Sequence, residues 1–214
     1  LITKCDTYIE DNLKIIKETE FIDSLDIILV QDLDEMYKYT REHVAGKISL
    51  IEDNENRNMI FCLYRGKKSP LKHELMHMIA MCKWGIPEGG LPLQWLNEGL
   101  ATYADPKAEC DGYLFEEKYT AFLYSNKLIN STSLMTDFTY SKISYNQTAY
   151  MVEFLIQNYG VEKIKLLWQS GMGKFEEIIG LTFEELILQI NNELSQKYPN
   201  PIDFNWPKFE EGCY

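Results

Sequence analysis

His73-Glu74-Leu75-Met76-His77 is the stretch that decides how this chain is read. Residues four apart on a helix stand one above the other, with Cβ atoms about 5–6 Å apart. Two imidazoles so placed can converge on one Zn²⁺ at roughly 2.0–2.1 Å. Glu74 shares that side of the helix, but its side chain is too short and wrongly angled for a third ligand. It suits a hydrogen bond to an attacking water, which is the general-base position of an H-E-x-x-H helix. At about 100° per residue from His73, His77 falls near 40°, while Leu71, Leu75, Met78, Ile79 and Cys82 gather between about 140° and 240°. The pattern predicts a helix whose apolar face packs one way and whose metal-binding face points the other.

A catalytic zinc of this kind takes three protein ligands and leaves its fourth position to water. The remaining histidine, His43, lies far upstream with no supporting pattern, so a carboxylate is the better third ligand. Glu98 comes twenty-one positions after His77, within Trp95-Leu96-Asn97-Glu98-Gly99-Leu100-Ala101-Thr102-Tyr103. Read as a helix, Leu96, Leu100 and Tyr103 form one apolar edge, with Glu98 and Thr102 opposite. Gly99 and Ala101 are small enough to let this helix approach the first one closely.

Taken together, H-E-x-x-H and the downstream W-L-N-E-G-L-A resemble the gluzincin metallopeptidases, whose zinc ligands are two histidines and a glutamate. The second segment is similar to the W-L-N-E-G-F-A of the large zinc aminopeptidases, and the size and layout resemble the small peptidase MA-like domains of that clan. Two departures stand out. Nothing in residues 1–72 matches the G-x-M-E-N motif that grips a substrate's free amino terminus, and the gap between second histidine and glutamate is two residues longer. The extra residues fall in Gly85-Ile86-Pro87-Glu88-Gly89-Gly90-Leu91-Pro92, a loop able to absorb an insertion. The resemblance thus implies the metal site His73, His77 and Glu98 with Zn²⁺, and not an aminopeptidase activity. It also implies a tyrosine beyond the third ligand that stabilises the oxyanion. Within Ser144-Tyr145-Asn146-Gln147-Thr148-Ala149-Tyr150, Tyr145 matches best and Tyr150 second.

The 214 residues fit one domain, 1–214, with a helix-and-sheet part over 1–83 and a mainly helical part over 84–214. Hydrophobic residues at 45% supply a substantial core. A net charge of −12 argues against nucleic acid, because phosphate contact needs a clustered basic surface. Arg65, Lys67, Lys68 and Lys72 are a short run that solvates a turn. No apolar run is long enough to span a bilayer. The first twenty residues carry charges throughout, unlike a secretory signal. The chain begins at Leu1, as a processed product or an excised piece does, so this says little of location. Five cysteines without a C-x-x-C pair fit reduced thiols, with a Cys110–Cys213 bridge left open.

Along the chain, residues 2–19 read as an amphipathic helix and Asp26–Val30 as a buried strand. Asp32 to Val44 reads as a helix with Asp32 and Glu35 as a capping pair. Lys47–Glu52 and Met59–Tyr64 read as strands joined across Asp53-Asn54-Glu55-Asn56, and Pro70 suits the first turn of the motif helix. Beyond the Trp95 helix come helices at about 113–126, 144–159, 161–170 and 182–196, then a tail without regular structure marked by Asn200-Pro201 and Pro207. Strands first and helices after imply an α+β fold. The zincin resemblance makes it a small mixed sheet over the motif helix, followed by a helical C-terminal lobe. There the sheet's edge strand, Met59–Tyr64 or the one before it, would pair with an extended peptide.

The mechanism expected is peptide hydrolysis of a peptide or protein substrate. Glu74 serves as general base, Tyr145 stabilises the oxyanion, and cleavage inside a peptide is favoured because the amino-terminal anchor is missing. Two other readings share the motif: a non-catalytic zincin-like module that binds a protein partner, and a regulatory protease with a single cellular target.

Overall fold

The strand expected at Asp26–Val30 forms one residue longer, as β1 (Leu25–Val30), in a computed structural model that describes residues 2–49, 58–64, 69–105 and 111–211. By its internal contacts the chain divides into two compact units, with the boundary between Lys83 and Trp84.

The first unit opens with α1 (Ile2–Ile16), whose Leu13 and Ile16 are buried. After β1 comes α2 (Leu33–Thr40), which ends four residues earlier than the sequence suggests. Its start is the expected one, with Asp32 accepting from the Glu35 backbone N–H at 2.7 Å. Its end is set by Arg41, which adopts the left-handed conformation at φ 63° and donates its N–H to the Tyr37 carbonyl. Strands β2 (Gly46–Ser49) and β3 (Asn58–Leu63) complete a mixed sheet in the order β1-β3-β2, with β1 parallel and β2 antiparallel to β3. The fold is therefore α+β, as expected. Met59–Tyr64, offered above as an edge strand, is instead the central one: β3 is paired along both sides, and Ile60 to Leu63 are all buried. Of the two strands considered, only the preceding one, β2, has an open side among the described residues. Met36 of α2 closes a core with Val30, Phe61 and Leu63. The 50–52 end of the predicted second strand, the 53–56 turn, Arg65, Lys67, Lys68, Cys110 and Cys213 lie outside the described residues; Cys5, Cys62 and Cys82 are in no disulfide.

The motif helix, α3 (Leu71–Trp84), starts immediately after Pro70, whose carbonyl accepts from the Glu74 N–H at 3.0 Å. It departs from the two-faced reading. Leu71, Leu75, Met78 and Ile79 are buried as expected, but Met76, Ala80, Glu74 and His77 are buried as well, so most of its circumference is shielded from water. α1 holds its first turn: Asn12 donates to the Lys72 carbonyl at 3.0 Å, and Lys72 pairs with Asp11 at 3.1 Å.

The second unit is helical. α4 (Gln94–Ala104) follows a short 3₁₀ turn at Leu91–Leu93, and α5 (Phe115–Tyr124), α6 (Ser131–Thr136), α7 (Lys142–Tyr159), α8 (Val161–Ser170), α9 (Phe175–Ile179) and α10 (Phe183–Lys197) come next. The sequence reading did not include α6 and α9, which are too short to display a period. α4 and α7 pack in close contact: a Cβ at Gly99 would lie 2.7 Å from the Thr148 carbonyl oxygen and 2.9 Å from Val152 Cγ2. Gly99 thus serves the close approach of α4 to α7. The glycine- and proline-rich loop is tied to α8, Trp168 donating to the Gly85 carbonyl at 2.7 Å and Glu88 N–H to the Trp168 carbonyl at 2.9 Å.

The tail also needs correcting, because it ends in a helix, α11 (Trp206–Glu211). Asn205 caps it, accepting from the Lys208 N–H at 3.0 Å, and Pro207 occupies the first turn, where a missing N–H costs nothing. Phe204, Trp206 and Phe209 then pack around Phe122 of α5. No helix among the described residues is long and apolar enough to cross a membrane.

Candidate metal centre

His73 and His77 occupy successive turns of α3, and that spacing brings their Nε2 atoms to 3.0 Å, with ring planes 84° apart. Two ring nitrogens this close are satisfied either by one donating to the other or by sharing a cation. Tetrahedral ligands at about 2.0–2.1 Å from Zn²⁺ stand roughly 3.3–3.4 Å apart, so the rings need only a small adjustment to share one ion.

Glu98 lies mid-way along α4 with its carboxylate buried. Gln94, one turn earlier, donates its side-chain N–H to Glu98 Oε1 at 2.8 Å. That bond helps to hold the carboxylate's orientation. His73, His77 and Glu98 each offer one ligand atom, and these atoms lie within 4.8 Å of one another. Two neutral imidazoles and one carboxylate form a donor set that suits a borderline divalent cation and leaves a coordination position open. The three residues singled out in the sequence are brought together as a group that could hold a metal ion.

Glu74 is buried on α3 beside the start of β2, its carboxylate lying where a side chain of Gly46 would otherwise be. Tyr145, in the first turn of α7, is half-buried and packs edge-on against Phe138. The side of α7 that meets α4 is marked by Thr148 and Val152. At about 100° per residue, Tyr145 lies roughly 60° from Thr148 and on that side, whereas Tyr150 lies roughly 200° away. Tyr150 packs on Tyr119 and Phe154, and burial, reinforced by Glu116, pushes its phenol well above the usual range. His43 is largely exposed, stacked on Tyr37 with Nε2 3.6 Å from Asp34, consistent with its exclusion from the ligand set.

Two residues of the site went unread in the sequence. Gln94 carries a usable signal, since it precedes Glu98 by four positions on one helix. Gly46 carries none, because its partner is twenty-eight residues away on a different element.

The model of the Peptidase MA superfamily matches residues 58–188, more than half of the chain, so the chain belongs to that superfamily of metallopeptidases. No curated protein and no solved structure matches it.

Proposed function

We propose that this chain is a zinc-dependent peptidase that hydrolyses bonds inside peptides, with residues 1–214 acting as one catalytic domain. The observation that carries the reading is the grouping of His73, His77 and Glu98 with the Glu74 carboxylate on the same helix as both histidines. The family match extends through Lys83, which supports treating the chain as one domain. Bound there, Zn²⁺ would supply Lewis-acid polarisation of the substrate carbonyl and lower the pKa of water to about 7.

The chain's own residues do the rest. Glu74 takes a proton from water as its oxygen bonds to the carbonyl carbon. As the C–N bond breaks, the same carboxyl group delivers that proton to the leaving nitrogen, so water is divided between the two products. Burial of Glu74 limits competition from bulk water. Tyr145 donates its hydroxyl to the developing oxyanion, a role supported by its place on the α4-facing side of α7. The open side of β2 pairs with the extended substrate main chain, an assignment supported by the position of Gly46 beside Glu74. The lack of a G-x-M-E-N anchor favours internal cleavage over trimming.

Metal analysis and digestion of a peptide library test this reading. Purified protein should carry about one zinc per chain and produce internal cuts that cease with chelator and resume on adding zinc. Zinc-loaded protein that cuts no peptide would overturn the assignment. The tyrosine is tested separately. Tyr145→Phe should lower kcat by about 100- to 1000-fold, corresponding to about 2.7–4 kcal/mol for an oxyanion donor, with little change in KM or zinc content. Tyr150→Phe should leave kcat near wild type; the opposite result would transfer the role to Tyr150.

A further inference from the structure

We infer that Gly46 is a positioning residue for Glu74: the bare main chain at the start of β2 is the wall against which the carboxylate is set. This rests on the reading of Glu74 as general base and assigns the residue that fixes its location.

A Cβ built on Gly46 would lie 2.3 Å from Glu74 Oε1, 2.6 Å from Cδ and 2.7 Å from Cγ. Side-chain atoms do not approach so closely, so an alanine here and the carboxylate in its present place exclude each other. All three obstructing atoms belong to the outer part of the Glu74 side chain, with none from backbone. The obstacle to a larger residue is therefore the carboxylate itself.

Nothing in the local backbone calls for glycine. Gly85 and Gly160 have φ of 86° and 83°, a region costly to other residues, whereas Gly46 is not among the positive-φ glycines and lies in a regular strand. Within a strand, glycine gives up packing and order, and often marks a close approach by another group. The main chain here is also held by its pairing to β3. Gly46 is in register with buried Cys62, and the neighbouring Ala45 carbonyl accepts from the Leu63 N–H at 2.7 Å. Relief of any added bulk comes most cheaply from rotation of Glu74, whose flexible outer atoms are the ones in the way.

The consequence is chemical more than structural. Restoring ordinary contact from 2.3 Å moves the carboxylate by about 1 Å. A general base works only within about 2.6–3.2 Å of the proton it takes, and a misplacement of about 1 Å can cost on the order of 100-fold in rate. Because the displaced group is the end of one side chain, fold and metal ligands are left in place.

The test uses the whole chain carrying Gly46→Ala, and Gly46→Val in two backgrounds. Gly46→Ala should keep its zinc and a near-wild-type Tm, while kcat falls about 100-fold and KM barely moves. Gly46→Val should lower Tm in the wild-type background but much less alongside Glu74→Ala, where the colliding atoms are gone. Wild-type kcat in Gly46→Ala would overturn the proposal. So would loss of zinc, which would mean an effect through His73 and His77, or a Tm loss that is equal in both backgrounds. The Tm cycle does not depend on catalysis. Should the wild-type protein cut no peptide, the proposed function falls, and the cycle still decides whether Gly46 sets Glu74.

Discussion

Replacing Glu98 by alanine is expected to strip the protein of tightly held zinc and, with it, of peptidase activity. With two imidazoles alone, the ion keeps too little coordination to compete with buffer or chelator. The loss should exceed the about 10- to 100-fold typical of removing an outer partner such as Gln94. Alanine is a strong helix former, so α4 should persist. Gln94 loses the acceptor it now bonds at 2.8 Å, and a half-buried amide can turn to water instead. His77→Ala should behave alike. Metal content after competition with a chromophoric chelator, alongside circular dichroism, reads both effects. Full zinc retention by Glu98→Ala would mean that another group is the third ligand.

Glu74→Gln should give the opposite profile, with zinc and fold retained and turnover down by at least about 100-fold, the scale of a positioned general base. Glutamine is nearly isosteric with glutamate and fits the space left by Gly46. Its amide can still hydrogen-bond water, yet it cannot take a proton near neutral pH. Single-turnover cleavage with measured zinc occupancy separates the possibilities. Turnover equal to wild type would remove Glu74 from the mechanism, and loss of zinc would make it a ligand. With these outcomes, the two variants would divide the site into groups that hold the ion and a group that moves the proton.

Much of this protein was legible from near neighbours in the chain. His73 and His77 announce a shared ion because four residues make about one helical turn, and Asp32 announces a helix start because its oxygen reaches the Glu35 N–H. Glu98 was legible from the helical pattern around it and from the resemblance of its flanking residues to a known motif. The capped, aromatic start of α11 was equally local, with Asn205 before Trp206 and Pro207, but the two prolines read more strongly as a stop. Short α6 and α9 offer no period to read.

The sequence by itself therefore singled out the candidate ligands and the general-base candidate, since each depends on spacing within one helix or on a motif. Tertiary structure decided what no local spacing encodes. It made β3 the central strand, because pairing on both sides joins segments far apart in sequence. It buried α3 on nearly all sides, where periodicity foresaw a single apolar face. It turned Gly99 toward α7 and set Gly46 against Glu74, because a close approach depends on which backbone arrives opposite a missing side chain. A glycine's lack of a Cβ is visible in the sequence; the group that needs the space becomes visible only once the chain has folded.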